Sequence, residues 1–190
     1  MKTSKLYLVC AISLLMSSIT FAQNKWSVEL RPGINFPTED FVDSNVETGF
    51  GFEVAGSYRF MDHLGAYAGW GYNTFKIENS DLDFDLTGYI FGLEFIHPIG
   101  TSEKLSYLLR GGGIYNHIEI ENTDFDIVED SGHGLGWELG VGLNYELGAN
   151  WNLRPQFGYR ELSRDVEFGE STSNVDVNYF VFAVGVAKIF

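Results

Sequence analysis

The sequence predicts an all-β protein, an eight-stranded antiparallel up-and-down transmembrane β-barrel. Three observations predict this fold class: bulky apolar side chains alternate with small or polar ones along most of the chain, aromatic residues make up 16% of it, and its 190 residues include 22 glycines but only 4 prolines. No stretch beyond residue 22 approaches the run of about 18 uncharged apolar residues that a transmembrane helix needs. A membrane-spanning strand turns only every second side chain to lipid, so this alternation is typical of barrels.

We expect the first 22 residues to be a secretory signal peptide. Lys2 and Lys5 precede an apolar core of eleven residues, and a small-residue cleavage pattern ends at Ala22. The core is too short to cross a bilayer as a helix, and no stop-transfer pattern follows it, which disfavours an uncleaved membrane anchor. The predicted organisation is therefore a signal peptide over residues 1–22 and a β-barrel domain over residues 23–190.

Eight segments alternate with period two, as expected of strands with two different faces. In the clearest, residues 135–147, every odd position is apolar and every even position is Gly, Glu or Asn. Pro32 and Pro155 lie inside predicted strands, where each removes a hydrogen-bond donor, so we expect a bulge or distorted pairing at each. The predicted strands are Lys25–Phe36, Gly49–Phe60, Leu64–Ile77, Asp85–His97, Leu105–Ile118, His133–Leu147, Trp151–Leu162 and Asp176–Phe190.

The connections between these strands tend to alternate in length. Met61–His63 and Gly148–Asn150 are short, whereas Pro37–Thr48, Glu119–Gly132 and Ser163–Val175 are long. Short turns at one rim and long loops at the other are typical of bacterial outer-membrane barrels, whose long loops face the outside of the cell. Most of the acidic excess of this chain, whose net charge is −14, falls in the long connections and the strand ends beside them. We therefore expect acidic extracellular loops.

Alternation alone does not say which face of the sheet points outward. The lumen of an eight-stranded barrel is just wide enough for side chains or one small ligand. The apolar face carries Trp26, Trp137, Trp151 and many Phe and Tyr residues, whereas the other face is rich in glycine and small polar groups. Because the bulky set would overfill the lumen, we predict that it faces lipid.

The predicted inward faces carry five acidic and five basic residues. Charges enclosed in a narrow lumen must be paired, and the rigid fork of Arg suits bidentate contacts with carboxylates. We therefore predict a charge network that fills the lumen and leaves no substantial pore. Its ten predicted members are Glu29, Arg31, Glu53, Arg59, Glu94, Arg110, Glu138, Glu146, Arg154 and Arg160.

The chain ends in Gly185-Val186-Ala187-Lys188-Ile189-Phe190, with Phe180, Phe182 and Val184 at the preceding alternate positions. A terminal Phe after such alternation resembles the final-strand signal of bacterial outer-membrane barrels, and residues 23–190 as a whole resemble the small OmpA/OmpX-like, porin-family barrels. The resemblance implies an assembly signal that includes Gly185 and Phe190 and is read by the barrel-assembly machinery. It also implies export through the periplasm to the outer membrane, with outer-membrane lipids and lipopolysaccharide as surroundings.

Candidate reactive groups are few. His117 and His133 are expected near the long-loop rim, close to Glu119 and Asp130, but no nucleophile motif accompanies them, so we predict that the protein is not an enzyme. None of the glycine-rich stretches joins a strand to a helix, as a phosphate-binding loop requires, and we predict no cofactor. The negative charge disfavours nucleic acid as a partner.

Repeated Asp-Phe-Asp motifs in the long connections are weak candidates for metal binding. Hard cations prefer carboxylate oxygens, but the spacing lacks the glycine and the terminal glutamate of known calcium loops, so solvated acidic loops are the simpler interpretation. Because such loops would repel phosphorylated lipid, we hypothesise weak, shared binding of Mg²⁺ or Ca²⁺ at this rim. The four candidate ligands are Asp83, Asp85, Asp124 and Asp126.

Taken together, the sequence favours an integral outer-membrane barrel with a side-chain-filled lumen and a structural or surface-interaction role, in which the acidic loops contact an extracellular partner. Two alternatives stay open. One is a narrow porin that passes small solutes, and the other is a soluble periplasmic barrel that binds a lipid-like ligand.

Overall fold

A computed structural model describes residues 25–39, 45–80, 82–121, 127–168 and 171–190 of the chain. The signal peptide expected over residues 1–22 lies outside these ranges, as do Asp124 and Asp126. None of the described residues forms a helix long and apolar enough to span a membrane.

The described residues form nine strands in chain order. These are β1 (Trp26–Pro37), β2 (Gly49–Arg59), β3 (Leu64–Lys76), β4 (Asp83–Pro98), β5 (Leu105–Glu121), β6 (Ile127–Asp130), β7 (Gly134–Gly148), β8 (Trp151–Phe168) and β9 (Ser171–Ile189).

Eight of these strands close into an antiparallel barrel, which confirms the predicted fold class. Each barrel strand pairs with its neighbours in sequence, and β1 pairs with β9 to close the cylinder. The short strand β6 pairs with the end of β5, from Glu119 to Glu121, beyond the point where β5 leaves β7. It therefore extends one rim of the barrel without adding a ninth strand to the closed sheet.

The bulky apolar face of the sheet points outward, as predicted. Trp137 and Leu139 are 39% and 58% exposed, whereas Glu138 between them is 7% exposed and faces the lumen. The same alternation runs along β1, where Val28 and Leu30 are exposed and Glu29 is buried. A belt of large apolar side chains around a polar interior is the arrangement expected of a barrel that sits in lipid.

The two prolines interrupt strand pairing without shifting it. Pro32 pairs with Phe52 on β2 but, within the described strands, lacks a pairing partner on β9; Pro155 pairs with Val184 on β9 but lacks one on β7. The register is the same on both sides of each gap. A missing N–H therefore opens the ladder on one side only, toward β9 at Pro32 and toward β7 at Pro155.

The structure differs from the prediction mainly at the long-loop rim. The connection expected over Ser163–Val175 is largely paired strand, with β8 and β9 matched as far as Phe168 and Ser171. Likewise, β6 lies within the connection expected over Glu119–Gly132. Beyond the membrane neither face of a strand touches lipid, so the alternation by which strands are recognised in sequence is no longer required there.

Candidate functional site: a closed lumen

Glu29 on β1 is the centre of one group of lumen charges. Its carboxylate accepts hydrogen bonds from Arg110 Nη2 at 2.6 Å, Arg154 Nη1 at 2.8 Å and Gln156 Nε2 at 3.0 Å. Glu94 Oε2 lies 2.9 Å from the same Arg110 nitrogen and 3.8 Å from Arg154 Nη1. Two carboxylates thus share two guanidinium groups within the barrel.

Glu53 on β2 is the centre of a second group. Both Arg31 and Arg160 form ion pairs with its carboxylate. Arg160 also contacts Glu138 Oε2 at 2.8 Å, and the Tyr67 hydroxyl donates to Glu138 Oε1 at 2.5 Å. Every member of this group is buried.

Gln156 joins the two groups into one network. Its Oε1 accepts from Arg31 Nη1 at 2.8 Å and from Arg110 Nη1 at 3.2 Å, while its amide nitrogen donates to Glu29. The network contains four Glu and four Arg side chains and draws them from β1, β2, β4, β5, β7 and β8, with Tyr67 added from β3. Equal numbers of opposite charges compensate one another within the barrel.

Two of the ten predicted lumen residues lie outside this network. Arg59 is half-buried and Glu146 is exposed, and both line an open basin of about 470 Å³ at the short-turn rim, together with Asp62 and Glu103. The prediction that they fill the lumen was wrong because they stand at strand ends, where solvent replaces a buried partner. Conversely, Gln156 and Tyr67 were missed, since neutral polar side chains give no charge signal.

An apolar layer closes the lumen on the long-loop side of the network. Phe75 and Phe84 stack at its centre with ring centroids 5.0 Å apart, and Phe75 meets the Tyr179 ring edge-on at 5.3 Å. We call this layer the apolar plug; its members are Phe75, Phe84, Leu86, Ile90, Ile114, Ile118, Ile120, Leu162, Val177 and Tyr179. The alternation of side chains predicted a lumen that is polar throughout, so the apolar plug was not expected from the sequence.

Two small cavities lie inside the described part of the barrel. A cavity of about 30 Å³ lies among Arg31, Glu138 and Gln156, and one of about 10 Å³ lies where the network meets the plug. A single water needs about 10–15 Å³ measured in this way, so these spaces hold isolated waters at most.

Missing side chains on β9 and β3 make room for the network. A Cβ on Gly185 would stand 2.2 Å from Glu29 Oε1, and one on Gly71 would stand 3.0 Å from Glu53 Cγ. Gly185 therefore has a packing role, whereas its part in an assembly signal, expected from the family resemblance, stays a prediction. Phe190 is exposed, and its amide donates to the Trp26 carbonyl at 2.8 Å across the closing seam.

The predicted acidic metal candidates are not gathered into one site within the described residues. Asp83 is half-buried at the start of β4, and Asp85 is buried where it accepts a hydrogen bond from the Tyr72 hydroxyl at 2.5 Å. Asp124 and Asp126 lie outside the described part of the chain, so the hypothesis of shared Mg²⁺ or Ca²⁺ stays a prediction.

A different cluster forms on the outer surface at the long-loop rim. His117 and Glu119 on β5 and Asp130 on β6 place their ligand atoms within 4.8 Å of one another. His117 Nδ1 lies 3.0 Å from Asp130 Oδ1, which also accepts from the Gly132 amide at 2.8 Å. Partial burial alone would raise the pKa of Asp130, but these contacts outweigh it and hold that pKa below its usual value.

Solved structures of small outer-membrane barrels share this fold. Neisserial surface protein A is 18% identical, with a TM-score of 0.64 over 87% of this chain and 97% of that one. OprG from Pseudomonas aeruginosa is 15% identical, with a TM-score of 0.59 over 89% and 98%. AlkL, solved in lipid bilayers, is 17% identical, with a TM-score of 0.57 over 88% and 90%. No curated protein sequence matches the chain.

The family model described as the outer membrane protein beta-barrel domain matches residues 8–190. With the structural neighbours, it places the protein in the outer membrane, where the outward belt of Trp, Phe and Leu side chains contacts lipid. The alternative of a soluble periplasmic barrel is therefore wrong. Since the match covers almost the whole sequence, the chain belongs to the outer membrane protein β-barrel domain family.

Proposed function

We propose that this protein is a closed, non-conducting outer-membrane barrel with a structural or surface-interaction role carried by its acidic long-loop rim. The observation that carries the proposal is the filled lumen. The charge network spans the barrel interior, and the apolar plug lies across it on the long-loop side.

The energetics of the lumen support a permanently closed state. Breaking a buried ion pair by removing one partner costs about 3–5 kcal/mol, because the other charge is left without compensation. A solute-sized path past Glu29 and Glu53 requires several such pairs to separate at once. Thermal opening of this kind is too rare to support steady flux.

The long-loop rim supports the surface role. Glu39, Glu47, Glu78, Glu119 and Asp130 all lie at this rim. Fields of one sign steer oppositely charged partners and select against like-charged ones. We propose that this rim faces outside and contacts a basic surface or, through shared divalent cations, the phosphates of lipopolysaccharide. The barrel-assembly machinery would act on β9 and Phe190 during biogenesis.

We also propose that the barrel has no catalytic role. The residue beside the His117–Asp130 pair that could act as a nucleophile is Ser131, and its hydroxyl is already engaged. It accepts from the Ile118 amide at 2.9 Å and donates to the Gly132 carbonyl at 2.9 Å. A hydroxyl held in this way is not activated by the histidine.

Planar-bilayer recordings on the refolded, untagged barrel test the closed-lumen proposal. We expect no steady conductance from the parent protein. The variant that combines Arg110→Ala and Glu94→Ala in the network with Phe75→Ala and Phe84→Ala in the apolar plug removes one buried pair and the two stacked rings, and should admit small-ion leakage. The matched variant Glu146→Ala, at the basin, should stay silent like the parent. A large, steady conductance from the parent would instead support the narrow porin.

A further inference from the structure

The outer surface at the long-loop rim brings metal-ligating side chains of three neighbouring strands, β4, β5 and β6, together. On β5, His117 and Glu119 both point away from the lumen, because Ile118 between them is buried in the plug. In the strand register, Glu119 lies directly opposite Asp85 on β4 and Asp130 on β6. Three carboxylates therefore stand in one cross-strand row.

This row is electrostatically unfavourable as it stands. Like charges directly opposite one another destabilise a pair of strands. Asp85 is partly compensated by the Tyr72 hydroxyl, and Asp130 by His117 and the Gly132 amide. A cation placed between Glu119 and Asp130 would offset the remaining repulsion.

The donor atoms suit a particular class of cation. One imidazole and two carboxylates are a ligand set for Zn²⁺ and neighbouring transition ions, whereas Mg²⁺ and Ca²⁺ prefer oxygen alone. In a tetrahedral zinc site the bonds of about 2.0–2.1 Å place adjacent ligand atoms about 3.3 Å apart. His117 Nδ1 and Asp130 Oδ1 are 3.0 Å apart. The Glu119 carboxylate oxygen lies within 4.8 Å of both atoms and would move closer to them to bind the same ion.

The surroundings orient the imidazole and leave the site open. The His117 side chain is 14% exposed, and its ring stacks on His133 with centroids 4.3 Å apart. His133 in turn packs on Tyr115 at 5.1 Å. The Asp130 side chain, by contrast, is 48% exposed. An ion can therefore approach from the medium, and water can take the fourth position.

We propose that His117, Glu119 and Asp130 form a binding site for a divalent transition-metal ion, of the Zn²⁺ class, on the outer surface of the barrel. The site ties β5 to the short strand β6 just beyond the lipid-facing Tyr115. It is distinct from the shared Mg²⁺ or Ca²⁺ hypothesised for the acidic loops, because it depends on a nitrogen ligand.

Cobalt titration of the refolded, untagged barrel in detergent tests this site, since tetrahedral Co²⁺ absorbs visible light and Zn²⁺ displaces it. We expect one Co²⁺ per barrel, displaced by Zn²⁺ but not by Mg²⁺ or Ca²⁺. His117→Ala and Asp130→Asn should each weaken binding by at least about tenfold, the lower limit for losing even an outer-shell partner.

His97→Ala is the matched control for the titration. His97 also packs against a second histidine, His63, with ring centroids 4.5 Å apart, but it lies at the short-turn rim, where its Nδ1 is hydrogen-bonded to the Pro98 carbonyl. This variant should bind Co²⁺ like the parent. If His117→Ala and Asp130→Asn also bind like the parent, or if the parent shows no Zn²⁺-sensitive absorption, the contact is an ordinary His–Asp pair and the proposal is overturned.

Discussion

At the residue scale, the lumen depends on side chains that are absent as much as on those present. Glu29 receives three donors only because β9 places a glycine beside it. Interiors are packed so tightly that one extra methyl group is felt. The packing of the charge network around Glu29 thus depends on an uncharged residue, Gly185.

Gly185→Ala should destabilise the barrel by about 1–3 kcal/mol, because the new Cβ would stand 2.2 Å from Glu29 Oε1 and force the carboxylate or the strand to shift. Urea unfolding of the refolded protein in lipid vesicles measures this. The matched variant is Gly140→Ala, whose Cβ would meet nothing closer than 3.7 Å. Equal stability of the two variants would remove the packing role. Refolding without assembly factors separates this role from an assembly signal.

Residue-level prediction from the sequence succeeded where charge identified the residue. Eight of the ten candidate lumen charges lie in one network, because an ionisable group on an inward face of a narrow barrel has few alternatives to pairing. Arg59 and Glu146 differ since they stand at the open basin. Which Arg meets which Glu could not be predicted, because those contacts cross the lumen between distant strands.

At the scale of elements, strand boundaries follow the membrane. Strands β2, β3 and β7 match their predicted limits within one residue, because lipid on one side and the lumen on the other enforce alternation. The ends of β8, β9 and β5 beyond the membrane were missed, as was β6, because no lipid face marks them in the sequence. The apolar plug was also missed. Ile114, Ile118 and Ile120 face inward, whereas the alternation predicted that apolar side chains face lipid.

Pro32→Ala should add one protected amide to the ladder between β1 and β9. Pro32 pairs with β2 but not with β9, so its missing N–H faces the closing seam, opposite Val184. Hydrogen exchange followed by NMR should show the new amide of residue 32 protected like those of paired neighbours. Val28→Ala, a lipid-facing change on the same strand that keeps its backbone N–H, is a control that should leave protection along the seam unchanged. Rapid exchange at residue 32 would mean that the gap is set by strand curvature rather than by the missing donor.

At the scale of the whole molecule, one network connects most of the barrel. Its members come from seven of the eight barrel strands, and β9 contributes the space they need. A substitution at the centre of the network should therefore destabilise the whole barrel rather than the pairing of two strands.

Glu29→Gln should lower the free energy of unfolding by about 3–5 kcal/mol, because Arg110 and Arg154 would lose one of the two carboxylate charges that compensate them. Heat-dependent migration on a denaturing gel, with urea unfolding in vesicles, measures the change. Glu146→Gln is the matched control: its side chain is exposed, and stability should change by less than about 0.5 kcal/mol. Similar losses from both variants would show that carboxylate charge in general, not this network, stabilises the barrel.

The contact between Glu29 and Arg154 has a consequence for biogenesis, because 125 residues separate its partners and β9 lies between their strands. In a sheet that has not yet closed into a barrel, the Glu29 carboxylate on β1 and the Arg154 guanidinium on β8 would each lack this partner. Both charges would then enter the hydrocarbon of the membrane uncompensated. The two charges pair only when β9 docks on β1 and closes the barrel. We therefore expect membrane insertion and cylinder completion to proceed as a single cooperative event, with half-curled forms too costly to accumulate.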